Sequence, residues 1–151
     1  MTQAVGVALR PVEEGDLPAL YTHQDDPVAN EMAVFEARPH AEFMAHWTRI
    51  LADDTALARA IVVDGEVVGT IMCWKDEFDR NVGYWLGRAH WGRGYASRAL
   101  ALLLDEVTER PLIAHVADTN IGSRRVLEHN GFTRIGGAEV DGVWESTYRL
   151  G

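Results

Sequence analysis

Apolar residues alternate at the start of the chain. Val5, Val7 and Leu9 fall on one side of Val5–Arg10, which predicts a short strand ended by Pro11. Asp16-Leu17-Pro18 sets a capping side chain just before a proline, the start signal of a helix that runs to about His23. A second helix is predicted from about Pro39 to Ala52. There Phe43, Trp47, Ile50 and Leu51 stand at i, i+4, i+7 and i+8 and form one apolar stripe. Residues 25–38 are polar and irregular, and no element is predicted in them.

Two β-branched runs, Ala58–Val63 and Glu66–Trp74, flank Asp64-Gly65. A two-residue Asp-Gly loop predicts a hairpin, because both residues tolerate the positive φ of its turn. Asn81–Leu86 reads as a further strand after the polar turn Lys75–Arg80. Gly92-Arg93-Gly94 then opens a helix from about Tyr95 to Glu109, with Ala96, Ala99, Leu100, Leu103 and Val107 on its apolar stripe. Leu112–Ala117 reads as a buried strand. Ile121–Asn130 reads as a short helix, with Gly131 at the left-handed position after it. Thr133–Val140 and Val143–Leu150 form a second hairpin about Asp141-Gly142. The order β α α β β β α β α β β predicts one mixed α/β sheet, mostly antiparallel, with helices on both faces. Its strand–helix–strand unit from Asn81 to Ala117 supplies two parallel strands.

A chain of 151 residues buries about 70% of its surface on folding, enough for one core, and a single domain over residues 1–151 is expected. The longest apolar run, Ala99–Leu104, has six residues, whereas a membrane span needs about 20. The first residues show no basic segment ahead of an apolar one. Cys73 is the sole cysteine and has no partner for an intrachain disulfide. A cytoplasmic protein without a membrane partner is therefore expected. Its oligomeric state, monomer or homodimer, stays open. The net charge of −9 argues against nucleic acid as a partner. Within that acidic chain, residues 80–104 hold Arg80, Arg88, Arg93 and Arg98 and no acid, which points to a local anion site.

Strand, Gly92-Arg93-Gly94 and helix make the first candidate for such a site. Glycines allow close backbone approach, and the unpaired N–H groups of a helix start suit a phosphate. Ser97 stands where a dinucleotide fingerprint needs its third glycine, which argues against NAD. The second candidate is Asn120-Ile121-Gly122-Ser123. By itself it reads as a helix cap, but it also lies at the open end of the parallel strands. The six histidines show no metal-ligand spacing, and no metal is expected.

Gly83-Tyr84-Trp85-Leu86, Trp91–Leu100, Asn120–Leu127 and Asn130-Gly131-Phe132, in this order and at these spacings, resemble the GNAT superfamily of acyl-CoA-dependent N-acetyltransferases. They are most similar to the branch containing the ribosomal-protein N-terminal acetyltransferases. The resemblance covers nearly the whole chain, Val5 to Leu150. It implies that Trp91, Gly92, Arg93, Gly94, Tyr95 and Ala96 form the loop that holds the pyrophosphate of acetyl-CoA. It implies that the strands Asn81–Leu86 and Leu112–Ala117 splay, so that pantetheine pairs with the backbone near Trp85 and Leu86. A backbone N–H there, at Leu86, would face the developing oxyanion. Asn120 would bind pantetheine and Ser123 would sit near the thioester sulfur.

Two positions depart from the pattern. Leu127 stands where many members carry a tyrosine that protonates the thiolate. Asn81 stands where relatives often carry a glutamate base, leaving Glu31, Glu36, Asp76, Glu77 and Glu145 as other carboxylates to consider. The implied activity is acetyl transfer to a primary amine, with the α-amine of a protein or peptide as the acceptor that the most similar branch suggests. Two alternatives stay open: an acyltransferase acting on a small amine such as an antibiotic or polyamine, and a non-catalytic acyl-CoA-binding module.

Overall fold

A computed structural model describes residues 6–151. Val5, which opens the first expected strand, lies outside the described residues. The elements are β1 (Val7–Pro11), α1 (Leu17–Gln24), α2 (Pro27–Ala33), α3 (His40–Ala52), β2 (Leu57–Val63), β3 (Glu66–Lys75), β4 (Arg80–Leu86), α4 (Tyr95–Glu106), β5 (Leu112–Ala117), α5 (Ile121–His129), β6 (Thr133–Val140) and β7 (Val143–Leu150), with short 3-10 turns at Glu14–Asp16 and Arg88–His90. Seven strands form one sheet in the order β1-β2-β3-β4-β5-β7-β6. Every neighbouring pair is antiparallel except β4 with β5. The expected fold class, a mixed and mostly antiparallel α/β sheet, is the one observed.

Strand alternation divides the core in two. Ile61, Val63, Val68, Cys73 and Val82 pack with Ala99, Leu100 and Leu103 of α4 and Leu127 of α5. Ala58, Ala60 and Val62 pack instead with Leu17 and Leu20 of α1 and Phe43 and Trp47 of α3. Successive side chains of β2 thus point to opposite faces, and a helical layer covers each. Both expected hairpins form. Asp64 and Gly65 (φ 51° and 78°) and Asp141 and Gly142 (φ 51° and 81°) supply the two left-handed residues that such turns require.

Three expectations need correction. The stretch 25–38 contains α2, where Asp26 Oδ1 accepts from Val28 N at 3.0 Å and Pro27 follows as the first helical residue. Seven residues are too few to display an apolar period, and only Ala29 is buried. Asp16 does not cap α1. It is buried, accepts from Glu13 N at 2.8 Å and pairs in a fork with Arg10 at 2.7 and 2.8 Å. That guanidinium is the main reason its carboxyl titrates below the ordinary range. Finally, α4 ends at Glu106 rather than Glu109, and Arg110 Nη1 donates to the carbonyls of Val107 and Glu109, both at 2.8 Å.

Gly69 of β3 lies opposite Leu86 at the end of β4. A Cβ there would fall 2.3 Å from Trp85 O and 2.9 Å from Leu86 Cδ2, so the end of β4 must shift to admit it. Gly69→Ala is expected to cost about 1–3 kcal/mol of stability, read by urea denaturation. Wild-type stability in this variant would contradict the packing described for β4.

Candidate functional site

β4 and β5 pair through only two residue pairs, Arg80 with Leu112 and Asn81 with Ile113. From Val82 onward the strands separate. Backbone polar groups on the two facing edges therefore have no strand to pair with, which leaves them available to a ligand. A cavity of about 390 Å³ occupies the opening. Tyr84, Trp85 and Leu86 form its β4 wall, and Asn120, Gly122, Ser123 and Val126 its α5 wall. The turn into α4 contributes Trp91, Gly92, Gly94, Tyr95, Ala96 and Ser97. Ala29, Met32 and Ala33 of α2 complete it, with His90 at its margin.

Alternation along β4 carries the cavity through the sheet. The Tyr84 side chain reaches α5, where its hydroxyl lies 2.9 Å from Ser123 Oγ and 3.0 Å from Ser123 O. The next residue turns the other way: Trp85 Nε1 donates to His23 O at 2.9 Å, and its ring packs against Phe35 at 5.2 Å. Leu86 O accepts from Trp91 Nε1 at 3.2 Å, while Gly87 N donates back to Val68 O on β3. Leu86 thus directs its backbone groups away from β3, toward the opening.

Gly92 and Gly94 have φ of 76° and 79°, a conformation side chains resist, and Gly94 stands just ahead of α4. No side chain caps that helix and no acid lies in its first turn, so its first N–H groups and its positive dipole end face the cavity. The basic stretch contributes less than its sequence implies. Arg88 pairs with Asp26 at 2.9 Å, and Arg80 binds Cys73 Sγ and Thr55 O at the far end of β4. Arg93 is exposed and does not line the cavity, although the glycines on either side of it do.

At α5, Asn120 Oδ1 accepts from Ser123 N at 3.3 Å, so the cap is real and binds the two candidate residues together. A polar network fixes this turn. Tyr148, wholly buried, donates to Glu128 Oε2 at 2.8 Å and accepts from Arg124 Nε at 3.0 Å. Arg124 also reaches Asp118 O at 3.1 Å, and Ser146 Oγ donates to Asp118 Oδ1 at 2.5 Å.

The two departing positions resolve differently. Leu127 is buried in the core and does not face the cavity. Tyr84 and Tyr95 line the cavity wall instead, and the Tyr84 pKa is pushed up to about 12 mainly by burial. Asn81 lies where β4 and β5 still pair, outside the cavity wall. It donates to Asp76 Oδ2 at 2.8 Å. Asp76 also accepts from the backbone of Phe78 and Asp79 and serves to build that turn. Among the described residues, no carboxylate lines the cavity. Cys73 is buried, and that burial raises its thiol pKa. Sequence reasoning missed α2, Tyr84, His90, Ser97, Gly122 and Val126 as parts of the wall. The Asp26-Pro27 start signal could have revealed α2, and strand alternation could have placed Tyr84 in the opening. Nothing local marks His90.

Residues 7–133 match the family described as acetyltransferase (GNAT) domain. A probable N-acetyltransferase, YjcK, of Bacillus subtilis (strain 168) is 39% identical over a stretch that covers 42% of this chain but only 40% of that protein. Among solved structures, Mycobacterium smegmatis RimJ in complex with CoA-disulfide is 26% identical, with a TM-score of 0.77 over 95% of this chain and 81% of its own. The spermidine N-acetyltransferase of Vibrio cholerae, solved with CoA and spermine, shares the fold at 16% identity, with a TM-score of 0.79 over 95% of this chain and 93% of its own. A splayed strand pair beside an uncapped helix start, within a domain match over residues 7–133, makes this chain a member of the GNAT acetyltransferase family.

Proposed function

We propose that the protein transfers the acetyl group of acetyl-CoA to a primary amine, with both substrates bound at once. The observation that carries this reading is the separation of β4 from β5 beside the uncapped start of α4. The N–H groups around Gly92–Ala96 suit the pyrophosphate, and the free edge of β4 at Tyr84 and Leu86 suits the amides of pantetheine, whereas the Trp85 backbone, expected to share that pairing, alternates toward Thr70 of β3. The thioester then sits in the opening, with Asn120 and Ser123 on one side and α2 on the other. Similar proteins solved with CoA-disulfide and with CoA and spermine support CoA as the ligand class.

In this arrangement the amine nitrogen attacks the thioester carbonyl, the C–N bond forms, the C–S bond breaks and the CoA thiolate leaves. The Leu86 N–H faces the carbonyl oxygen as it gains charge. Ser123 donates a hydrogen bond to the leaving sulfur. Tyr84 supports it: its proton can rest on Ser123 O, or turn to Ser123 Oγ and release the serine proton toward sulfur. With a pKa near 12, the phenol keeps that proton throughout the working range.

The amine must shed a proton, and no carboxylate among the described residues lines the cavity to take it. An α-amine has a pKa of about 7.7–8.0 and a lysine side chain about 10.4, a difference of roughly 3.5 kcal/mol in deprotonation. At pH 7 about 10–20% of α-amines are already neutral, against about 0.04% of lysines. The site therefore suits a peptide or protein α-amine, with water carrying the proton away. Ala29, Met32 and Ala33 of α2 give that amine an apolar wall, which suits a peptide end better than a polyamine.

The reading is tested by release of free thiol from acetyl-CoA in the presence of amines. A peptide with a free N-terminus and no lysine is expected to react faster at pH 7 than its N-blocked twin containing lysine. Its rate is expected to rise with pH through about 8 as the amine deprotonates. Binding of acetyl-CoA without thiol release for any amine would instead identify a regulatory module. Faster acetylation of the blocked peptide would refute the α-amine assignment.

Substitutions separate the roles at α5. Ser123→Ala is expected to lower kcat about tenfold with little change in KM for acetyl-CoA. Tyr84→Phe is expected to lower kcat as well, but to add nothing in the Ser123→Ala background, because the two act as one unit. Asn120→Ala is expected to weaken acetyl-CoA binding and cost about 1 kcal/mol of stability through the lost cap. Additive losses from Tyr84→Phe and Ser123→Ala would show that the phenol acts by another route.

A further inference from the structure

Among the described residues, β6 ends the sheet, with β7 on one side and no strand on the other. Seven of its eight residues are exposed and Gly136 is partly so, whichever face they occupy. Natural edge strands are usually short, covered, bulged, or guarded by charged side chains or proline. Thr133–Val140 holds no lysine or proline, and its guards are one bulge and the charges of Arg134 and Glu139. Ile135 is 56% exposed and Val140 46%, beside Trp144 of β7 at 49%. One row of backbone N–H and C=O groups meets β7, and the other row has no partner strand.

We propose that β6 pairs antiparallel with β6 of a second copy of this chain, about a two-fold axis at Gly137, with Ile135 bulged out of the pairing in each copy. The warrant is charge self-complementarity. Read backwards about that point with Ile135 passed over, Thr-Arg-Ile-Gly-Gly-Ala-Glu-Val sets Arg134 against Glu139 of the second copy, and Glu139 against its Arg134. Among the described residues, neither charge has an ion partner. Arg134 donates only through Nε, to Ser146 Oγ at 3.0 Å.

Geometry strengthens the match. Residues directly opposed across an antiparallel pair share a face of the sheet. Residues five apart on a regular strand do not, so Arg134 and Glu139 would ordinarily point to opposite faces. The register of β6 on β7 shifts between Arg134 and Gly136, which inserts one extra residue. Arg134 consequently faces Tyr148 and Glu139 faces Trp144, four residues apart on β7 and on one face. The bulge thus sets both charges on the same side, about 13 Å apart along the strand. The alternation changes phase at Ile135, so Gly137 opposes Gly137 of the copy at the axis and each Arg134 meets Glu139 two pairings from it.

Sedimentation equilibrium on the full chain tests this independently of any catalytic reading. The expected mass is twice the 16.8 kDa of one chain at micromolar concentrations. Glu139→Arg and Arg134→Glu each set like charges opposite one another twice, and each is expected to weaken association about tenfold or more. The double reversal restores opposite charges and is expected to restore the dimer. Glu139→Arg breaks no bond within the chain. It carries the test if Arg134→Glu, which loses Ser146, disturbs the fold by circular dichroism. A monomeric wild type, a dimer that survives Glu139→Arg, or a double variant that fails to recover would each overturn the proposal.

Discussion

Two strands that begin as a parallel pair and then part create the site. Arg80 and Asn81 tie β4 to β5, and beyond them each strand is held only by its other neighbour, β3 or β7. A sheet that stayed paired would satisfy its backbone groups internally and leave no room for a ligand. The opening is held from both sides. Gly69 lets β3 lie close against the end of β4, and the buried Tyr148 network fixes β7 and α5 beside β5. The site is therefore built into the central sheet rather than onto surface loops, and its position depends on packing that reaches both faces.

Local grammar revealed much of this architecture. Asp-Gly pairs marked both hairpins because the chain needs left-handed residues there, and the apolar stripe on residues 95–107 marked α4 because that face meets the sheet. The splay itself was legible only through family resemblance, since nothing in Asn81–Leu86 states where pairing with a distant strand will stop. α2 escaped because a seven-residue helix with one buried side chain has no period to read. Arg80 misled for a related reason. Adjacency in sequence placed it with Arg93 and Arg98, but a strand seven residues long separates its ends by about 20 Å, while Arg88 is taken up by Asp26.

Tyr84 illustrates what sequence can offer at a site when alternation is followed through. Gly83-Tyr84-Trp85 was visible as a motif, but its two aromatic residues do unlike work. One turns to Ser123 on α5 and the other to His23 and Phe35 on the opposite face. A missing tyrosine at position 127 thus does not leave the cavity without a phenol. It arrives from a different element, at hydrogen-bonding distance from the same serine.

The cavity is made of two unlike materials. Its α4 side offers mainly backbone around Gly92 and Gly94, which many neighbouring sequences could present equally well. Its α2 side offers side chains on a short helix with a single buried anchor, Ala29. Replacing Met32 or Ala33 would disturb little of the core, so this wall can drift under mutation at small cost to the fold. The consequence is evolutionary. On the proposed reading, in which α2 lines the amine side and the turn into α4 the acyl-donor side, a lineage carrying this chain can change the amine it accepts by altering a few positions on α2.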